Sequence, residues 1–363
     1  MTVVLFIVVL GVLILVHELG HFILAKRSGI RVEEFGMGLP PRAWGFKKGE
    51  TIYSINWLPF GGFVKIFGED PSDKKISEED KKVSFAWKPR WIQASVIVAG
   101  VVFNILFAWI LISVTLMSGT YASVEFGGTA IENPELMITH VVPQSPAEKA
   151  GLQPGDILVF LESEGHSLQE INPQAVSSFI ATSESENVTF LVRRGTESAS
   201  FTVSPSDGII PDRKAIGISM SMVGIVRLPF IKAFVEGFNA TVALTEITAV
   251  TLWSFIAGFF SGTSDFSAVA GPVGIVGIAG DVANLGFIHL ISFMALLSIN
   301  LAILNIIPFP ALDGGRLLFL LIEAVIRKPL KPAFVRAAHG FGFMLLILLM
   351  LVVTWNDVLR LIA

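Results

Sequence analysis

An apolar run from Val3 to Ala25 is interrupted by His17-Glu18-Leu19-Gly20-His21. About 20 such residues cross a bilayer as a helix. Placing an ionisable side chain at that depth costs about 3 kcal/mol or more unless it is paired or bound. On a helix, positions 17 and 21 lie one turn apart on the same face, where two imidazoles can grip one metal ion. Glu18 is angularly close enough to reach a water on that ion. A chance match or a polar patch on a helix seam would explain the same letters on a soluble helix. Inside an apolar 23-mer they point to a metal site.

The rest of the chain supports a membrane setting. It is 53% hydrophobic and 15% charged, outside the balance of soluble domains. Val3–Ala25, Ile92–Met117, Phe287–Leu304 and Gly340–Leu361 read as spans. The first lacks the basic leader and small-residue cleavage site of a signal peptide. A net charge of −4 gives no suggestion of nucleic acid. With no Cys, any metal must be held by His, Asp or Glu.

Charge sets the expected topology. Residues 26–91 carry 13 of the 26 Lys and Arg, and Arg316, Arg327, Lys328, Lys331 and Arg336 follow the third span. Residues 118–228 hold six basic side chains against 13 acidic ones. The positive-inside rule places the two basic loops in the cytoplasm and 118–228 outside. Both termini then face outside, which four spans satisfy.

Residues 128–222 read as one small α+β domain. Met137–Val142 suits a strand, Ser145–Leu152 a capped short helix ending at Gly151, and Gln153-Pro154-Gly155-Asp156 a turn into the strand Ile157–Leu161. Pro173–Thr182 suits a helix, and Val188–Val192 with Ser200–Val203 a hairpin. This order, with Ala-Gly-Leu-Gln-Pro-Gly-Asp-Ile-Leu at its centre, resembles a bacterial PDZ domain. One copy is present.

A second polar cluster follows the third span: Asn305-Ile306-Ile307-Pro308-Phe309-Pro310-Ala311-Leu312-Asp313-Gly314-Gly315. Two prolines within three residues break the helix. Irregular backbone at membrane depth is tolerated where protein or a water-filled cavity surrounds it. Asp313 can then complete a two-His, one-carboxylate set that leaves a coordination position open. The first and third spans run in the same direction with their clusters near their inner ends, so His17, His21 and Asp313 share one depth.

His-Glu-x-x-His in the first span, Leu-Asp-Gly after the third and a PDZ-like insertion resemble the site-2 protease family, most closely its RseP-type bacterial branch of intramembrane zinc metalloproteases. Pro59–Lys65, Phe103-Asn104 and Gly271-Pro272-Val273-Gly274-Ile275 are further family-like marks. The resemblance covers essentially the whole chain, with one departure: well-known members carry two PDZ domains. It implies a polytopic α-helical membrane protein of about four transmembrane helices, with an extracytoplasmic PDZ domain and a cytoplasmic β-hairpin, in a bacterial cytoplasmic (inner) membrane. The expected organisation is 1–25 first span, 26–91 cytoplasmic loop with hairpin, 92–117 second span, 128–222 PDZ domain, 229–285 interfacial helix and GPVGI loop, 287–326 third span with the Leu-Asp-Gly motif, and 340–361 fourth span.

The implied activity is zinc-dependent hydrolysis of peptide bonds within single-span membrane proteins already trimmed by another protease, such as anti-sigma factors or signal-peptide remnants. His17, His21 and Asp313 would hold Zn2+, and Glu18 would act as general base and then acid. Asn305, eight residues before Asp313, would hydrogen-bond the scissile carbonyl or developing oxyanion, or cap the broken helix. Tyr53–Trp57 and Gly62–Phe67 read as a hairpin whose edge at Gly61, Gly62, Phe63 and Val64 accepts an unwound substrate by strand addition. Asn104 is a further candidate for substrate contact or for a hydrogen bond between helices. Two other classes remain: a catalytically inactive PDZ scaffold and a metal transporter. Glu18 beside both ligands argues against the first, and the lack of inverted repeats against the second.

Overall fold

The structure is a computed structural model that describes residues 2–69, 77–123, 132–163, 165–183, 187–195, 197–210, 213–262 and 271–362. It opens with α1 (Thr2–Arg27), the paired strands β1 (Val32–Lys48) and β2 (Thr51–Ile66), the short α2 (Glu78–Lys81) and α3 (Arg90–Ser118). Next come β3 (Thr120–Ser123), β4 (Glu132–Val141), α4 (Pro146–Ala150), β5 (Ile157–Ser163), β6 (His166–Ser167), α5 (Pro173–Thr182), β7 (Val188–Arg194), β8 (Glu197–Val203), β9 (Ser206–Ile210), β10 (Arg213–Ala215) and β11 (Ile218–Val226). The chain ends with α6 (Phe230–Ser261), α7 (Pro272–Asn284), α8 (Phe287–Ile306), α9 (Asp313–Ile326) and α10 (Pro332–Ile362). Two units result: residues 1–115 with 231–363, and residues 116–230.

Among the described residues, five helices are long and apolar enough to cross a membrane: Thr2–Arg27, Arg90–Ser118, Phe230–Gly258, Phe287–Ile306 and Pro332–Leu359. Helix α1 is continuous because it has no proline, and Lys26 and Arg27 in its last turn complement the negative end of its dipole. Leu5, Val9 and Leu13 of α1 join Leu290, Met294, Leu297 and Leu301 of α8 in one apolar cluster. Ala25, Ile30, Val32, Phe85, Val96, Ile97 and Leu320 form a second cluster at the other end of α1.

The expected interfacial helix within 229–285 is α6, one unbroken 32-residue helix. As expected from Pro308 and Pro310, α8 ends at Ile306, and a new helix starts at Asp313. One element differs from the sequence expectations. Gly271–Ile275 is no loop but the start of α7, with Pro272 in the first turn and the Asp357 carboxylate accepting from the Gly271 and Gly274 amides.

The expected hairpin is also corrected. Residues 32–37 lie between the two halves of β2, pairing with residues 52–55 on one side and 62–66 on the other, while residues 42–48 pair with 51–56. Tyr53–Trp57 and Gly62–Phe67 therefore do not pair with each other. Glu33 and Glu34 concealed the central segment by breaking its apolar alternation. Glu34 is tolerated there because its carboxylate accepts from Ser54 Oγ at 2.6 Å and Arg42 Nη2 at 2.8 Å. Residues 62–66 form one edge of this small sheet, with no strand partner beyond them among the described residues.

The second unit is built on a sheet in the order β3-β11-β4-β5-β7-β8, with β6 paired to β5. Its core of Leu136, Ile138, Leu161, Val176, Ile180, Phe190 and Ile216 is fully shielded from solvent. Ser145 and Asn172 cap α4 and α5, and Gly151 ends α4 at φ 93°, a conformation that favours glycine. Arg194 closes the unit with two hydrogen bonds to the buried Asp156 carboxylate, at 2.7 and 2.8 Å. The expected strands and helix of 137–203 coincide with β4, β5, α5, β7 and β8. Residues 128–131 of the expected domain lie outside the described residues.

Candidate metal centre

The helical spacing of His17 and His21 presents both imidazoles on the face of α1 that packs against α3. Contact there is close because small residues meet. A Cβ added at Gly20 would strike the Ala99 carbonyl, and one added at Gly100 would lie 2.6 Å from His17 Cε1 and His21 Nε2. Neither position has room for a side chain.

Asp313 reaches the same place from α8 and α9. Pro308 and Pro310 end α8, Ala311 takes a positive φ of 94°, and the chain re-enters a helix at Asp313. Gly314 lets α9 start directly beneath this turn, since a Cβ there would strike the Ile306 and Ile307 carbonyls. The Ala311 amide donates to His339 Nδ1 of α10 at 3.1 Å, which ties the turn to a separate helix.

Three ligand atoms converge as a result. Asp313 Oδ2 lies 2.9 Å from His17 Nε2 and 3.2 Å from His21 Nε2, and the two Nε2 atoms are 3.2 Å apart. Ligands about 2.0–2.1 Å from a tetrahedral zinc ion are separated by about 3.3 Å. The spacing of the three donors fits a zinc ion, and His21 and Asp313 also line the cavity beside them.

The surrounding groups set the ring tautomers. His21 Nδ1 lies 2.8 Å from the Val96 carbonyl, which can only accept, so Nδ1 carries the proton and Nε2 offers its lone pair. Asn104 is fully buried on α3, with Nδ2 3.4 Å from His17 Nδ1 and Oδ1 lacking any partner. Turning that amide by half a rotation would bring Oδ1 to a protonated Nδ1 and leave the His17 Nε2 lone pair free, with Nδ2 taking the position that lacks a partner.

Glu18, His21 and Asp313 line a cavity of ≈190 Å³ together with Phe63, Val64 and Arg316. Val64 lines this cavity beside the Glu18 carboxylate. Gly62 lies against Glu18 as well, since a Cβ added there would sit 3.4 Å from Glu18 Cγ. The sheet edge therefore forms a wall of the cavity that holds the base. Phe63 and Val64 line this cavity, whereas Gly61 does not. Asn305, half-buried in the last turn of α8, is not among its lining residues.

Val96, Gly100 and His339 went unrecognised in the sequence. The Ala99-Gly100 pair within a span of bulky residues was a usable signal for the close contact. A carbonyl acceptor such as Val96 leaves none.

The sequence matches peptidase family M50 over residues 5–349. Regulator of sigma-W protease RasP of Bacillus subtilis is 32% identical, with 99% of each chain covered. Zinc metalloprotease RasP of Oceanobacillus iheyensis is 29% identical, again over 99% of each chain. Zinc metalloprotease RasP of Geobacillus kaustophilus is 30% identical, over 97% of this chain and 96% of that one.

Proposed function

The chain belongs to peptidase family M50, the site-2 proteases, and from that membership and its metal centre we propose that it cuts peptide bonds within transmembrane segments of single-span membrane proteins. It is a zinc metalloprotease with several membrane-crossing helices. The observation that carries the proposal is the convergence of His17, His21, Asp313 and Glu18 on one cavity walled by the sheet edge.

Zinc held by His17, His21 and Asp313 would polarise the scissile carbonyl and make water acidic enough to ionise near neutral pH. Glu18 takes the proton from the attacking water and returns it to the leaving amine. Gly62 and Val64 of the sheet edge lie beside Glu18 and bound the space in which both transfers take place. Residues 62–66 supply backbone partners to a substrate segment whose own helical hydrogen bonds have been broken. Asn305, close in sequence to the metal-bearing turn, fits the role of carbonyl or oxyanion donor once substrate draws it inward.

Parallel packing of α1 and α8 supports the topology. Leu5 and Val9 lie with Leu290 and Met294, and the His pair meets the turn just beyond α8. Both helices then descend from outside to inside with α3 returning between them, and α6 lies along the interface. The unit of residues 116–230 faces outward as a PDZ domain that limits access to substrates already trimmed by another protease. Scission falls in the inner half of the substrate segment, in the cytoplasmic membrane. The RasP relative's name, regulator of sigma-W, favours an anti-sigma factor among the substrates.

Cleavage of a single-span substrate in liposomes, with products mapped by mass spectrometry, tests the proposal. Cuts in the cytoplasmic half support it, and cuts in the outer half contradict both the site's depth and the topology.

A further inference from the structure

A second cavity, of ≈400 Å³, adjoins the catalytic one and shares Glu69, Phe85, Ile97 and Arg316 with it. Its wall has two characters. Phe319, Leu330 and Val335 make an apolar side, and Arg90, Arg316 and Arg336 bring three guanidinium groups. The two carboxylates in the wall face arginines of the same wall. Glu69 pairs with Arg316 at 2.9 Å, and Glu323 accepts from the Leu330 amide at 2.8 Å while lying 4.0 Å from Arg90 Nη2. Arg90 Nη1, by contrast, is buried with no hydrogen-bond partner. A buried donor on a permanent cation favours an anionic acceptor, and the planar guanidinium fork matches phosphate oxygens.

The cavity's place in the fold narrows the ligand. Arg90 is the first residue of α3 and Pro332 the first of α10, two helices long and apolar enough to span. The cavity therefore sits where hydrocarbon gives way to head groups. Basic pockets between spanning helices at that level hold anionic head groups. We infer that this cavity binds an anionic phospholipid, its phosphate taken by Arg90 and the neighbouring guanidinium groups and its first methylenes by Phe319, Leu330 and Val335. This goes beyond the proteolytic reading and does not depend on which substrates are cut. It also links lipid to the metal centre, because Arg316 lines both cavities and stands one helical turn after Asp313.

The test uses the delipidated full-length chain in neutral detergent, titrated with phosphatidylglycerol, phosphatidylcholine or inorganic phosphate. Native mass spectrometry reads bound lipid, and thermal unfolding reads stabilisation. Phosphatidylglycerol is expected to stay bound and raise the unfolding midpoint, and phosphatidylcholine to do neither. Arg90→Gln should weaken phosphatidylglycerol about tenfold, the effect of losing one charge-assisted hydrogen bond. Removing two distant charges with Lys47→Gln and Lys48→Gln should leave binding unchanged. Equal binding of the two lipids, or wild-type affinity in Arg90→Gln, overturns the inference. Stabilisation by phosphate alone matching that of phosphatidylglycerol assigns a free anion instead and overturns the lipid. If Arg90→Gln does not fold, Arg336→Gln carries the same expectation, and the wild-type comparison of the two lipids decides by itself.

Discussion

Asn104 Nδ2 of α3 stands 3.4 Å from His17 Nδ1 of α1, in full burial, and its amide oxygen has no partner. The pair joins two helices at His17, and an amide oxygen turned toward a protonated Nδ1 would leave Nε2 free. Asn104→Leu keeps the volume and removes the acceptor. It should weaken zinc about 10–100-fold, the usual cost of losing a group that orients a ligand. Asn104→Asp keeps an acceptor and should hold zinc better than the Leu variant. Competition with a chelator measures both, and wild-type zinc affinity in Asn104→Leu would reduce Asn104 to a packing role.

Gly100→Ala should remove zinc although it favours the helix. Alanine gains about 1 kcal/mol over glycine in a helix interior, but here its methyl would lie 2.6 Å from both imidazoles. Gly277→Ala is the control, because a Cβ there meets nothing within 4 Å. Metal analysis should find zinc lost in the first variant and kept in the second. Zinc retained in Gly100→Ala would mean that the two helices can separate at no cost.

The convergence of His17, His21 and Asp313 was legible in the sequence because chemistry alone marks them: ionisable groups in apolar surroundings need a reason. Strand alternation and turn residues likewise gave β4, β5, α5, β7 and β8 of the second unit. The sheet beside α1 was harder to read. Its central segment, residues 32–37, carries Glu33 and Glu34, and the satisfaction of Glu34 by Ser54 and Arg42 exists only in three dimensions. The amphipathic start of α7 was missed for a related reason. Its cap, Asp357, is 86 residues from Gly271.

His339 should matter through the turn it holds. His339→Leu leaves the amide of Ala311, itself at φ 94°, unpaired. An unsatisfied half-buried amide costs about 1 kcal/mol, and the displaced turn carries Asp313. Faster zinc loss to a chelator is expected, with partial rescue by His339→Gln. If the Leu variant unfolded at a lower temperature but lost zinc at the wild-type rate, the turn would not depend on His339.

A proline at Val64 breaks the sheet edge that walls the cavity beside Glu18. Zinc should remain bound and cleavage should slow by about tenfold, the effect of losing one backbone hydrogen bond to the substrate segment. Substrates with Gly or Pro in the inner half of their segment should suffer least, since their helices are weaker. Unchanged turnover would separate the sheet edge from catalysis.

The central claim is that His17, His21 and Asp313 hold one zinc ion for which Glu18 is the base. The most direct measurement pairs zinc content with cleavage of a single-span substrate for Glu18→Gln and Asp313→Ala. About one zinc per chain and no product are expected for Glu18→Gln, and loss of both zinc and product for Asp313→Ala. Full zinc occupancy in Asp313→Ala, or wild-type cleavage by Glu18→Gln, would contradict it.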